Sequence, residues 1–177
     1  MAKKIKENHE AYSKIEISRE NKVSEPYNAL SYEGNYGLEA FTAFADAPKQ
    51  AGNHLTAFEK MNLVREGISK KDLEILKDKT SMDYTMLAKA LSVTRATLIN
   101  KKRDQKFGAG LSEKIVGLAD LYSYGFEVFE DEDNFNQWMT RPNQALGGRV
   151  PYDLIDNQYG REEVKNLIGR IDYGVYS

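Results

Sequence analysis

Residues 84–103 read Tyr-Thr-Met-Leu-Ala-Lys-Ala-Leu-Ser-Val-Thr-Arg-Ala-Thr-Leu-Ile-Asn-Lys-Lys-Arg. Leu87, Ala88 and Leu91 fall on one face of a first helix capped by Asp83, and Leu98 falls on the inner face of a second helix capped by Thr94. Val93 sits between them, in the turn. A small residue, Ala88, stands where two helices must approach closely. That is the pattern of a helix-turn-helix. The turn position often held by glycine is Ser92, so a β-carbon must be accommodated at positive φ. The second helix is expected to run from Arg95 to Arg103.

Outward from this motif the chain reads as helical. Phe58–Arg65 ends at Gly67. Ser69 is an N-cap ahead of Asp72–Lys79. Ser112 is expected to open a long helix whose stripe, Ile115, Val116, Leu118, Ala119 and Tyr122, marks one buried face. Asp133 is expected to cap a helix through Trp138 and Met139 that ends before Pro142. Residues 143–159 read as irregular, with Pro151 able to start a short helix. A last helix, Arg161–Ile171, carries Val164, Leu167, Ile168 and Ile171 on one face. Residues 1–57 are polar and turn-rich, with the composition of a short helix at 38–45 and of a strand near Tyr12–Ile17. The expected fold class is therefore all-α. It places a partly irregular tail at 1–57, a helix-turn-helix domain at 58–110 and a small helical domain at 111–177.

Composition excludes several function classes. The 177 residues include no cysteine and two histidines, His9 and His54, both in the tail. Disulfide scaffolds, thiolate metal sites and cysteine nucleophiles are thereby removed. No zinc site, histidine-based triad or paired-carboxylate site can be assembled from the remainder, so no enzyme, metal or cofactor is expected. No apolar run reaches the roughly 18 residues that a membrane helix needs, and the basic start is followed by no apolar stretch of a secretory signal. A cytoplasmic protein is expected.

The net charge of −2 hides an uneven distribution. Residues 1–57 carry −1, residues 58–110 carry +5 and residues 111–177 carry −6. A basic middle suits a polyanion. If the second helix of the motif enters a major groove, Arg95 suits a guanine edge and Asn100 an adenine edge. Thr94 and Thr97 stand at the helix start, where backbone amides favour a phosphate. Lys101 and Arg103, with Lys102 and Lys106, suit phosphates. The bland alternative is a helical hairpin with a solvated basic face, and Ile99, facing partly outward, would fit a protein contact as well as DNA. The acidic run Glu127, Glu130–Asp133 reads as a solvated loop leading into a helix cap.

The final third is the most specific. Tyr124-Gly125-Phe126 is followed by Trp138-Met139-Thr140-Arg141-Pro142-Asn143-Gln144-Ala145-Leu146-Gly147-Gly148, then by Val150-Pro151-Tyr152-Asp153-Leu154-Ile155. The chain closes on Leu167-Ile168-Gly169-Arg170-Ile171-Asp172-Tyr173-Gly174-Val175-Tyr176-Ser177. These blocks resemble the toxin-binding domain of Xre/MbcA/ParS-type antitoxins, and the resemblance covers about residues 58–177. It implies an antitoxin of a type II toxin–antitoxin system, whose partner is a RES-domain toxin that consumes NAD and which represses its own operon through operator DNA. DNA-binding domains of the helix-turn-helix class usually act as dimers on paired half-sites, so a homodimer built by the C-terminal helices and assembled with toxin into a larger complex is expected.

The terminal run makes physical sense beside that resemblance. Chain ends are normally polar and frayed, yet Tyr173, Val175 and Tyr176 are apolar or aromatic. Either this end docks on its own core or it inserts into a partner. A pocket that accepts anionic NAD should be electropositive, and an acidic domain ending in a carboxylate at Ser177 would complement it. Arg170, Tyr173, Val175, Tyr176 and Ser177 are the expected toxin-binding residues, occluding the toxin's active site. Trp138 is expected in the core. The alternative reading is a helix-turn-helix transcription regulator without a toxin partner.

Overall fold

A computed structural model describes residues 55–174. The expectations for the tail, including the helix at 38–45 and the strand near Tyr12–Ile17, lie outside the described residues, as do Val175, Tyr176 and Ser177. Among the described residues there are seven α-helices and no strand: α1 Ala57–Glu66, α2 Lys70–Lys79, α3 Tyr84–Ala90, α4 Arg95–Ile99, α5 Ala109–Phe129, α6 Glu132–Met139 and α7 Gln158–Asp172. Two 3-10 turns, Gln144–Leu146 and Pro151–Leu154, join α6 to α7. The all-α expectation holds.

Helix starts follow local capping chemistry. Thr56 with Glu59 and Ser69 with Asp72 form reciprocal capping boxes on α1 and α2. Asp83, Thr94 and Asn157 cap α3, α4 and α7 through side-chain oxygens. Helices α2 and α3 end alike. Ser81 and Ser92 adopt left-handed φ values of 54° and 52°. Around the second, Ser92 N–H donates to the Lys89 carbonyl at 3.0 Å and Val93 N–H to the Ala88 carbonyl at 2.9 Å. This is the Schellman pattern, which satisfies carbonyls that the helix leaves orphaned.

Helix α5 is the central element, with α1, α6 and α7 packed on it. Its stripe of Ile115, Val116, Leu118, Ala119 and Tyr122 is buried as expected, and joins Leu73, Leu87, Leu98, Phe135, Val164 and Ile168 in one continuous core. Phe135 is the hub of an aromatic cluster. Its ring meets Tyr122, Phe126 and Phe129 edge to face at centroid distances of 5.2 to 5.6 Å, and stacks on Trp138 at 5.7 Å. Trp138 packs against the core but is only half-buried.

Several boundaries differ from expectation. Ser112 does not open α5; it is fully buried one turn inside, where its hydroxyl accepts from Ile68 N–H at 2.9 Å and donates to the Phe107 carbonyl at 3.1 Å. The helix begins at Ala109, after Gly108. Asp131 rather than Asp133 caps α6, because its carboxylate reaches Asn134 N–H at 2.9 Å. Helix α7 starts three residues early, at Gln158, because Asn157 accepts from Gly160 N–H at 3.0 Å. Helix α4 stops at Ile99, not Arg103. Tertiary bonding stops it: the carbonyls of Arg103 and Gln105 accept from the Lys71 and Lys70 amides at 3.0 and 3.1 Å. The residues after Ile99 are drawn out to cap the start of α2, and cannot continue a helix as well.

Candidate functional site

The pair α3 and α4, with the turn between them, is held by Leu87, Leu91 and Leu98, each fully buried, and Ala88 is buried beside them. On its outer side Thr94, Arg95, Thr97, Asn100, Lys102 and Arg103 are exposed, and Lys101 is half-buried with its ammonium 5.6 Å from the Phe107 ring centre. The structure brings these residues into one region but sorts them. Arg95 opens α4 and Asn100 is its C-cap. Lys101 and Arg103 lie on the following loop. The Thr94 and Thr97 hydroxyls are hydrogen-bonded to each other at 2.8 Å, and Thr94 also accepts from Thr97 N–H. Both are engaged in capping. Among the described residues Arg95, Lys101, Lys102 and Arg103 make no ion pair. Lys106 approaches Glu66 at 4.0 Å. Ile99 is 39% exposed, as its outward placement predicted. The result is a cationic, solvent-facing surface suited to a polyanion.

The acidic half presents a different surface at the end of α7. Tyr173 is 81% exposed, so this part of the terminal run does not dock on its own core. Arg170 lies 3.9 Å from Glu163 on its own helix. Tyr124 donates to Asp172 at 3.3 Å, and burial together with the Asp172 carboxylate pushes the Tyr124 phenol up. Beneath this surface Asp120, on α5, accepts from Lys60 on α1 and from Lys165 on α7, the latter at 2.9 Å. Burial alone would raise the Asp120 carboxyl, but the two lysines outweigh it and hold it below its ordinary value.

Sequence reasoning missed three features. Lys70 is 5% exposed, its ammonium bonded to Tyr84 Oη with Glu74 3.8 Å away. Ser81 repeats the left-handed turn of Ser92. The 3-10 segment Pro151–Leu154 is docked on α3: Tyr152 Oη donates to the Met86 carbonyl at 2.9 Å and Asp153 pairs with Lys89 at 2.7 Å. Only a charge pattern hints at the last, since Lys89 and Asp153 are too far apart in sequence for spacing to reveal them. An open cleft of about 420 Å³ is lined by Ser92, Glu113, Lys114, Asp156 and Arg161, with both signs of charge. Among the described residues no group of three or more potential ligands is placed to hold a metal ion. None of the described helices is long and apolar enough to cross a membrane.

Residues 125–174 match the family model of the antitoxin Xre/MbcA/ParS C-terminal toxin-binding domain. Three relatives align with the chain. An "Antitoxin Xre" of Photorhabdus laumondii is 37% identical over 73 residues, 41% of this chain and 49% of that protein. A "Prs ADP-ribosylating antitoxin" of a Sphingobium species is 27% identical over 130 residues, 67% of this chain and 81% of that protein. An "Antitoxin Xre" of Yersinia enterocolitica is 31% identical over 85 residues, 48% of this chain and 57% of that protein. The chain thus spans about half the length of the two Xre relatives.

Proposed function

We propose that the chain is an antitoxin of the Xre/MbcA/ParS type, in line with the matched domain and relatives, that it sequesters a cognate RES-domain toxin, and that it represses its own operon. Residues 111–177 bind the toxin, and residues 58–110 bind operator DNA. The carrying observation is Tyr173, an aromatic residue 81% exposed at the end of the matched domain. An aromatic side chain left in solvent beside an acidic surface is suited to enter a partner's cleft. Arg170, Tyr173, Val175, Tyr176 and Ser177 occlude the toxin's NAD pocket. The exposed Arg95, Asn100, Lys101 and Arg103, with α4 capped by Thr94 and Thr97, form the DNA face. A homodimer places two such faces on paired half-sites within the toxin complex in the cytoplasm.

The test is co-expression with the toxin gene beside it. Deleting residues 173–177 should restore toxicity in a growth assay while the circular-dichroism melting curve stays that of the full chain. Full neutralisation by the shortened chain would refute occlusion by the tail. A neighbourhood without a RES-type gene would favour a transcription regulator lacking a toxin partner.

A further inference from the structure

We propose that residues 151–156 form a clasp that sets the direction of α4, with Ser92, Tyr152 and Asp153 as positioning residues for DNA binding; this rests on the DNA-binding reading above. The clasp meets α3 and its turn at three successive points. Tyr152 Oη donates to the Met86 carbonyl at 2.9 Å. Asp153 Oδ1 accepts from Lys89 Nζ at 2.7 Å. The Ser92 hydroxyl donates to the Asp156 carbonyl.

The clasp is itself fixed from behind. Arg161 Nη1, on α7, donates to the Ile155 carbonyl at 2.8 Å. Gly160 lies so close to the clasp backbone that a β-carbon there would sit 1.7 Å from the Leu154 carbonyl oxygen. From α5, Lys114 Nζ donates at 3.1 Å to the carbonyl of Leu91, the C-cap of α3.

These contacts bear on α4 because α4 is five residues long. A helix so short has no stability of its own and takes its direction from what precedes it. What precedes it is the turn Leu91–Thr94, whose left-handed residue is Ser92. Glycine would adopt that conformation more easily, but glycine has no hydroxyl to give to Asp156. Serine therefore trades backbone ease for an anchor onto the clasp. Residues 151–156 lie within the matched toxin-binding domain, so the element that steadies the DNA face belongs to the half that meets the toxin.

The experiment uses the full chain and a DNA duplex of the region immediately upstream of its own gene. Ser92→Gly keeps the turn and removes the anchor; Tyr152→Phe removes one hydroxyl. Each should weaken duplex binding about fivefold, the worth of one hydrogen bond. The melting temperature should fall by no more than a few degrees, and toxin neutralisation should stay unchanged. Hydrogen exchange of the amides at 93–97 should accelerate without DNA. Lys89→Asp should also weaken binding, and adding Asp153→Lys should restore it. Variants that bind like the parent, with exchange at 93–97 unaltered, overturn the clasp. If the parent itself fails to bind while both variants still speed exchange, the clasp stands and the DNA-binding reading falls.

Discussion

At the scale of single residues, the proposed DNA face reduces to a few groups with free valence. Thr94 and Thr97 are occupied with each other and with the first turn of α4. Arg95 and Asn100 are exposed polar side chains at the two ends of that helix. A bidentate base contact discriminates by about 1–3 kcal/mol. Replacing Arg95 and Asn100 together by alanine should therefore weaken operator binding by about a hundredfold or more. Since neither side chain supports the core, neutralisation should persist. Electrophoretic mobility shifts at fixed salt would check this, and undiminished operator affinity would move the reading surface elsewhere. The residue scale is also where the sequence was most readable. Ser69, Asp83 and Thr94 cap the helices that their neighbours imply, and the left-handed Ser92 follows from its place in the turn.

At the scale of elements, Asp120 links three helices through Lys60 and Lys165. Its carboxyl is held below the ordinary value. The stability it adds is full above that ordinary value and is lost as pH falls through the lowered one. Asp120→Asn should thus melt earlier than the parent at neutral pH and lose less stability on acidification, as thermal scans between neutral and acid pH would show. Equal acid slopes for the two chains would remove the triad from the account. Element boundaries were legible where a local side chain decides them and hidden where a distant backbone does. The end of α4 is set by amides of α2 about 30 residues earlier in the chain. Ser112 looks like a cap in one dimension and proves to be a buried crosslink between Ile68 and Phe107. The docking of 151–156 on α3 left no periodic trace, whereas the buried stripe of α5 was plain from its 3- and 4-residue spacing.

At the scale of the molecule, the basic and acidic halves share one core. Leu73, Leu87 and Leu98 from the first half and Ile115, Phe135 and Ile168 from the second belong to a single buried cluster. The two proposed functions are therefore expected to melt together. Calorimetry of the full chain should show one transition for residues 55–174, and a fragment of residues 55–110 should be largely unfolded by circular dichroism. Two resolved transitions would mean that the halves are energetically independent despite their contacts.

The connection from Asn100 to Gly108 acts as a ruler. Its nine residues must deliver two carbonyls, those of Arg103 and Gln105, opposite two amides of α2. One residue added or removed there shifts both out of register, so the damage surfaces on a helix far away in sequence. Length is thus constrained in the stretch beside the proposed DNA face, whereas its exposed side chains can be exchanged without disturbing that register.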